Sequence, residues 1–102
     1  MAKYTPSIMQ TREECYICHR KNVEFHHHHA IPGNGNRKIC DSLGLWIFLC
    51  PNCHSLLHDK NIGYKEVQKA AQKAFLKDRI KNGLTEDQAR QEWYGRFYKF
   101  YE

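Results

Sequence analysis

The chain has no apolar run approaching the roughly 18 residues that read as a membrane span. Its opening, MAKYTPSIMQTREE, lacks the apolar core that a secretory signal uses. There is no low-complexity linker, and no internal repeat beyond two CxxC pairs. Apolar material is also limited: 41% of the 102 residues are hydrophobic, and mean hydropathy is -0.78. A single soluble domain of this size buries only a modest core without help. No membrane partner is expected, and the expected location is the cytoplasm, its own cell's or a host cell's.

Five cysteines are present, which matters in such a compartment. A reducing cytosol disfavours disulfides, so Cys15-x2-Cys18 and Cys50-x2-Cys53 read as thiolate metal ligands. Each CxxC turn lets two thiolates reach one tetrahedral ion, and such a zinc supplies folding energy that a small core lacks. The 31 residues between the pairs make a longer loop than a compact ribbon has. A mixed site using His19 is the competing arrangement. A redox role fits poorly, since nothing here resembles a thioredoxin βαβ unit. Cys40 is left over as a buried or idle thiol.

The second cluster is histidine. His54 and His58, four apart, project from the same face of a helix and can share a metal. A third ligand is expected from His26-His27-His28-His29, if that run lies on a neighbouring strand. Strand side chains alternate between faces, so only some of the four can look into the site.

The coarse elements follow from pattern. A lead-in over 1–14 is irregular, with Pro6 discouraging helix. Val23–Ile31 reads as a strand carrying the histidines, Pro32–Asn36 as a loop, and Leu45–Leu49 as a second strand returning Cys50 and Cys53 to Cys15 and Cys18. A helix begins at Pro51 and runs to His58, and Lys60–Gly63 breaks it. A third segment has Tyr64, Val67, Ala71, Ala74 and Phe75 on one helical face and stops at Asn82-Gly83. Thr85-Glu86-Asp87-Gln88 is a capping box for a last helix with Ala89, Trp93, Phe97 and Phe100 inward. The fold class is therefore α+β, with a metal-binding core over 15–59 and a helical extension over 64–102.

From Cys15 to His58 the chain resembles the HNH endonucleases, the ββα-metal (treble-clef-like) nucleases, and in particular small phage-type members with a four-cysteine zinc site. The lead-in and the helical tail resemble them more loosely. In that family a metal-binding residue on the first strand is followed directly by a general-base histidine, then an aliphatic strand end and often proline. His28-His29-Ala30-Ile31-Pro32 has that order. The resemblance implies His28 as ligand and His29 as base, with His27 as ligand if the register slips by one and His26 a bystander. His54, or the pair His54 and His58 as in colicin nucleases, completes the ligand set. Where many relatives place the middle Asn, five before Cys50, this chain has Leu45. Asn36, in an Asn36-Arg37-Lys38 segment similar to the phage subgroup's, is the candidate for bracing the loop. The family orients the base through a loop backbone carbonyl.

The activity implied is hydrolysis of DNA, leaving a 5′-phosphate, with a structural zinc and one catalytic divalent ion. Three imidazoles suit Zn2+, Ni2+ or Mn2+ more than Mg2+. The partner is DNA, expected to be double-stranded. The charge agrees in sign: net +5, with seven Lys/Arg against Glu66 and Asp78 between Lys60 and Lys81. Arg37 and Lys38 are the candidates for gripping the backbone. Lys65, Lys69, Lys73, Lys77 and Lys81 form a stripe that either tracks phosphates or is simply solvated, and Leu76 and Ile80 within it are expected to pack on the last helix. The aromatic tail from Trp93 to Tyr101 is expected to pack the helices together rather than to stack on nucleotides. The rival reading is a non-catalytic zinc-stabilised module that binds DNA or protein.

Overall fold

The computed structural model describes residues 5–33, 35–61 and 63–101. The first four residues of the expected lead-in, Asn34 of the expected loop, Ile62 of the expected helix break and Glu102 lie outside the described residues. Among the described residues the order is β1 (His26–His29), α1 (Asn36–Leu43), β2 (Trp46–Leu49), α2 (Pro51–Lys60), α3 (Tyr64–Lys81) and α4 (Glu86–Phe97). The described residues are α+β, with one two-stranded sheet and four helices.

β1 and β2 pair antiparallel, with His26 opposite Leu49, His27 opposite Phe48, His28 opposite Ile47 and His29 opposite Trp46. Residues directly opposed across an antiparallel pair share a face. One face therefore carries His26 and His28 with the fully buried Ile47 and Leu49. The other carries His27 and His29 with Trp46 and Phe48. α2 lies against both strands, and α1 lies against β1.

The strand expected over 23–31 is only four residues long. Its partner sets the limit, because β2 is confined between the left-handed turn at Gly44 and the start of α2 at Pro51. Past the ladder, the Ala30 N–H still donates to the Leu45 carbonyl at 3.0 Å, and Ile31 is fully buried.

Instead of a simple hairpin, the connection contains α1, which sequence reasoning missed. This helix lacks the local signals of one. Gly35 offers no side-chain cap, no acid sits in the first turn, and Arg37 and Lys38 oppose the helix dipole there. Tertiary contacts hold it instead. Cys40 is fully buried, and the lead-in reaches the orphan carbonyls of the last turn. The Thr5 N–H donates to the Asp41 carbonyl at 2.7 Å, and the Thr5 hydroxyl donates to that of Ser42 at 2.9 Å.

The same irregular lead-in covers the open edge of β2. The Ser7 hydroxyl donates to the Trp46 carbonyl at 2.6 Å, and the Phe48 N–H donates to Gln10 Oε1 at 3.0 Å. The Tyr16 N–H donates to the Phe48 carbonyl at 2.8 Å. An edge that would otherwise invite another strand is thereby closed. At Gly44 (φ 73°) the lead-in passes so near that a Cβ would collide with the Pro6 carbonyl oxygen.

The C-terminal helices follow their pattern. α3 buries Val67, Ala71 and Phe75, and the buried Gln72 accepts from the Tyr101 N–H at 2.6 Å. α4 is opened by a complete capping box, Thr85 with Gln88, and buries Ala89, Trp93 and Phe97. Trp93 meets Phe75 edge-on at 5.4 Å and Phe97 at 4.4 Å, so much of the aromatic tail is packing. Arg79 pairs with Glu92 across the two helices at 2.9 Å. Phe100 lies beyond α4 and is half-buried, and Ile80 is exposed rather than packed on α4. One connected apolar cluster runs from Cys15 through the sheet to Trp93 and Phe97.

Candidate functional site

The four knuckle cysteines come together. Their sulfurs lie within 4.8 Å of one another. Four thiolates about 2.3 Å from one tetrahedral ion stand about 3.8 Å apart, and Cys18 Sγ and Cys50 Sγ are 3.8 Å apart. The donor set thus fits a structural zinc. Cys50 is also the N-cap of α2, its sulfur accepting from the Cys53 N–H at 3.4 Å. Burial raises the Cys15 thiol, but hydrogen bonds from the Cys50, Cys18 and Ile17 backbone outweigh it and bring it down to about 6. Burial and the neighbouring sulfurs push Cys53 up. The alternative ligand His19 turns away, its Nδ1 2.7 Å from the Glu14 carboxylate.

The second cluster is His28, His54 and His58, whose ligand nitrogens also lie within 4.8 Å of one another. His54 and His58 sit one turn apart on α2, with their Nε2 atoms 3.0 Å apart. His28 reaches them from β1, its ring 5.4 Å from each of theirs. The register turns His28, not His27, toward α2. Three nitrogens about 2.0–2.1 Å from a tetrahedral ion stand about 3.3 Å apart, and the His54–His58 pair is near that spacing at 3.0 Å. Burial, reinforced by His54 and His58, lowers His28 to about 4, so its ring is neutral and ready to ligate. Burial, then His58 and His26, lowers His54 as well.

His26, expected to be a bystander, is not one. Its Nδ1 lies 2.7 Å from His54 Nδ1. When His54 turns Nε2 to an ion, its Nδ1–H donates to His26, the outer contact that commonly fixes a ligating imidazole. Strand alternation predicts that His26 shares a face with His28, and that was the available signal.

His27 and His29 occupy the opposite face with Asp41 of α1. Each Nε2 lies 3.0 Å from Asp41 Oδ1. A carboxylate only accepts, so both rings donate from Nε2. His27 also stacks on Trp46 at 4.4 Å, and burial lowers its pKa against the opposing pull of Asp41. His29 is thus oriented by a side-chain carboxylate, not by the backbone carbonyl expected. Asp41 was invisible in the sequence because α1 was.

A cleft of about 400 Å3 joins the two faces, lined by His27, His28, His29, His54, His58 and Tyr64, with Arg37 at its rim. Lys38 is exposed on α1 and does not line it. Asn36 opens α1, its amide donating to the Pro32 carbonyl at 2.8 Å across the loop. The α3 lysines are exposed, and Lys73, Lys77 and Lys81 line a separate groove against Ile8, Met9 and Tyr16.

Comparisons with family models, curated proteins and solved structures find no match to this chain.

Proposed function

We propose that this chain is a metal-dependent endonuclease of HNH type that hydrolyses DNA phosphodiester bonds one strand at a time. One observation carries the reading: three imidazoles from β1 and α2 converge, while the next strand residue, His29, opens into the same cleft with its ring held by a carboxylate.

His28, His54 and His58 would hold a divalent ion, which when bound supplies Lewis-acid stabilisation of the scissile phosphate and the departing 3′ oxygen. The protein's own part begins with His29. Because Nε2–H is donated to Asp41, the lone pair available to take a proton from water is on Nδ1. A neutral imidazole held in one tautomer suits that task, and Asp41 stabilises the imidazolium that results. Arg37, at the rim, presents a fork matched to phosphate oxygens. Asn36 ties down the loop that leads to Arg37. The four-cysteine cluster, with zinc, clamps the start of α2 to the turn before β1 and so sets the spacing between the His54/His58 pair and the histidine strand.

Relaxation of supercoiled plasmid tests the reading. Wild-type protein with Zn2+, Ni2+ or Mn2+ nicks the plasmid, leaving a 5′-phosphate, and His29→Ala is slower by roughly a hundredfold or more. Equal background cutting by the two proteins sinks it, and favours a module that binds without cutting.

A further inference from the structure

His27 has no part in the tri-histidine centre, yet it is held firmly. It shares a strand face with His29, two residues on. Both Nε2 atoms lie 3.0 Å from the same oxygen of Asp41. The ligand atoms of the three residues lie within 4.8 Å of one another, the same closeness that marks the other two clusters. Their side chains are 24%, 25% and 30% exposed, so none is a loose surface group. The Trp46 ring stacked on His27 limits its rotation, and the Thr5 N–H on the Asp41 carbonyl holds the last turn of α1 in place. His27 and His29 both line the cleft, so two of the three side chains are reached from solvent by the same opening.

Two imidazoles and one carboxylate, from one strand and one helix, are a common three-residue ligand set for a zinc-class ion, leaving positions for water. Tetrahedral ligands about 2.0–2.1 Å from an ion stand about 3.3 Å apart, so the nitrogens need to move only a few tenths of an ångström from Asp41. Binding asks each ring to shift its proton from Nε2 to Nδ1, with no net gain or loss.

We propose that His27, His29 and Asp41 form a third metal site, of lower affinity than the other two, for zinc or a similar divalent ion. Its occupancy has a consequence that rests on the endonuclease reading. With Nε2 on an ion, Nδ1 of His29 carries the proton and can no longer accept one from water. An ion there switches cleavage off, so activity rises and then falls as zinc increases.

Metal counting by native mass spectrometry under increasing Zn2+ tests the site without reference to activity. Wild type binds one ion more than either Asp41→Asn or His27→Gln. His27→Gln leaves Asp41 in place and guards against a folding defect in the first variant. Equal counts in all three proteins overturn the site. His58→Gln, counted alongside, reports the tri-histidine centre separately, so the two claims fail independently. In the plasmid assay, wild-type nicking falls roughly a hundredfold as the last ion binds, the size of a lost general base. Nicking that continues with that ion bound overturns the inhibitory role.

Discussion

Replacing His26 with phenylalanine isolates the contact that aims His54. Phenylalanine keeps the ring, the strand preference and the edge-on packing, now 4.9 Å between centroids, but removes the nitrogen 2.7 Å from His54 Nδ1. Without metal, His54 is free to turn either nitrogen outward, so the cost in the empty protein is small. With metal, Nε2 must face the ion, and Nδ1–H must then point at position 26. A half-buried donor left unmet costs about 1–3 kcal/mol. That range agrees with the roughly 10–100-fold affinity loss seen when an outer contact of a metal ligand is removed. The assay is competition for Co2+ or Zn2+ against a chromogenic chelator, with the four-cysteine site already filled. His26→Phe weakens the tri-histidine centre by roughly 10–100-fold while the four-cysteine site is unchanged. Wild-type affinity in the variant refutes the claim that His26 orients His54.

Three further outcomes are expected. Gly44→Ala places a side chain at φ 73° against the Pro6 carbonyl; the left-handed backbone alone costs about 1–2 kcal/mol, so chemical denaturation should show a loss beyond that. Burial pushes the Cys40 thiol from its ordinary 9.0 up to about 11. The folded chain therefore keeps a proton that the unfolded chain releases, and this contribution to stability is full below about pH 9 and lost as pH rises through about 11. Urea midpoints across that window decline in wild type more than in Cys40→Ala, and thiol alkylation at pH 8 leaves Cys40 unmodified in the folded protein. Arg37→Ala raises KM for plasmid roughly tenfold, as loss of a charge-assisted phosphate contact should. Lys38→Ala, outside the cleft, changes it far less, and the reverse order contradicts the placement.

That the four cysteines cluster, and that His28, His54 and His58 do, was legible because the constraints are local. CxxC spacing, the i, i+4 pair on α2 and period-2 alternation on a strand each follow from backbone geometry, and each needs only a few neighbours. The capping box at Thr85 and the buried face of α3 were readable for the same reason. What escaped depended on contacts distant in sequence. α1 has poor intrinsic signals and is held by Thr5, some 37 residues away from its Ser42 partner. With α1 unseen, Asp41 had no place, and neither did its hold on His27 and His29. The extent of β1 escaped too, since the length of a strand is set by its partner. The role of His26 needed the register of β1 against β2 to be fixed.

The convergence of His28, His54 and His58 is tested most directly by anomalous diffraction from crystals given one equivalent of Co2+ beyond the zinc held by the cysteines. A single cobalt peak is expected about 2.0–2.1 Å from a nitrogen of each of those three residues, with His29 outside the coordination sphere and still paired with Asp41. A peak that includes His29 at this stoichiometry, or no peak among the three histidines, would contradict that expectation.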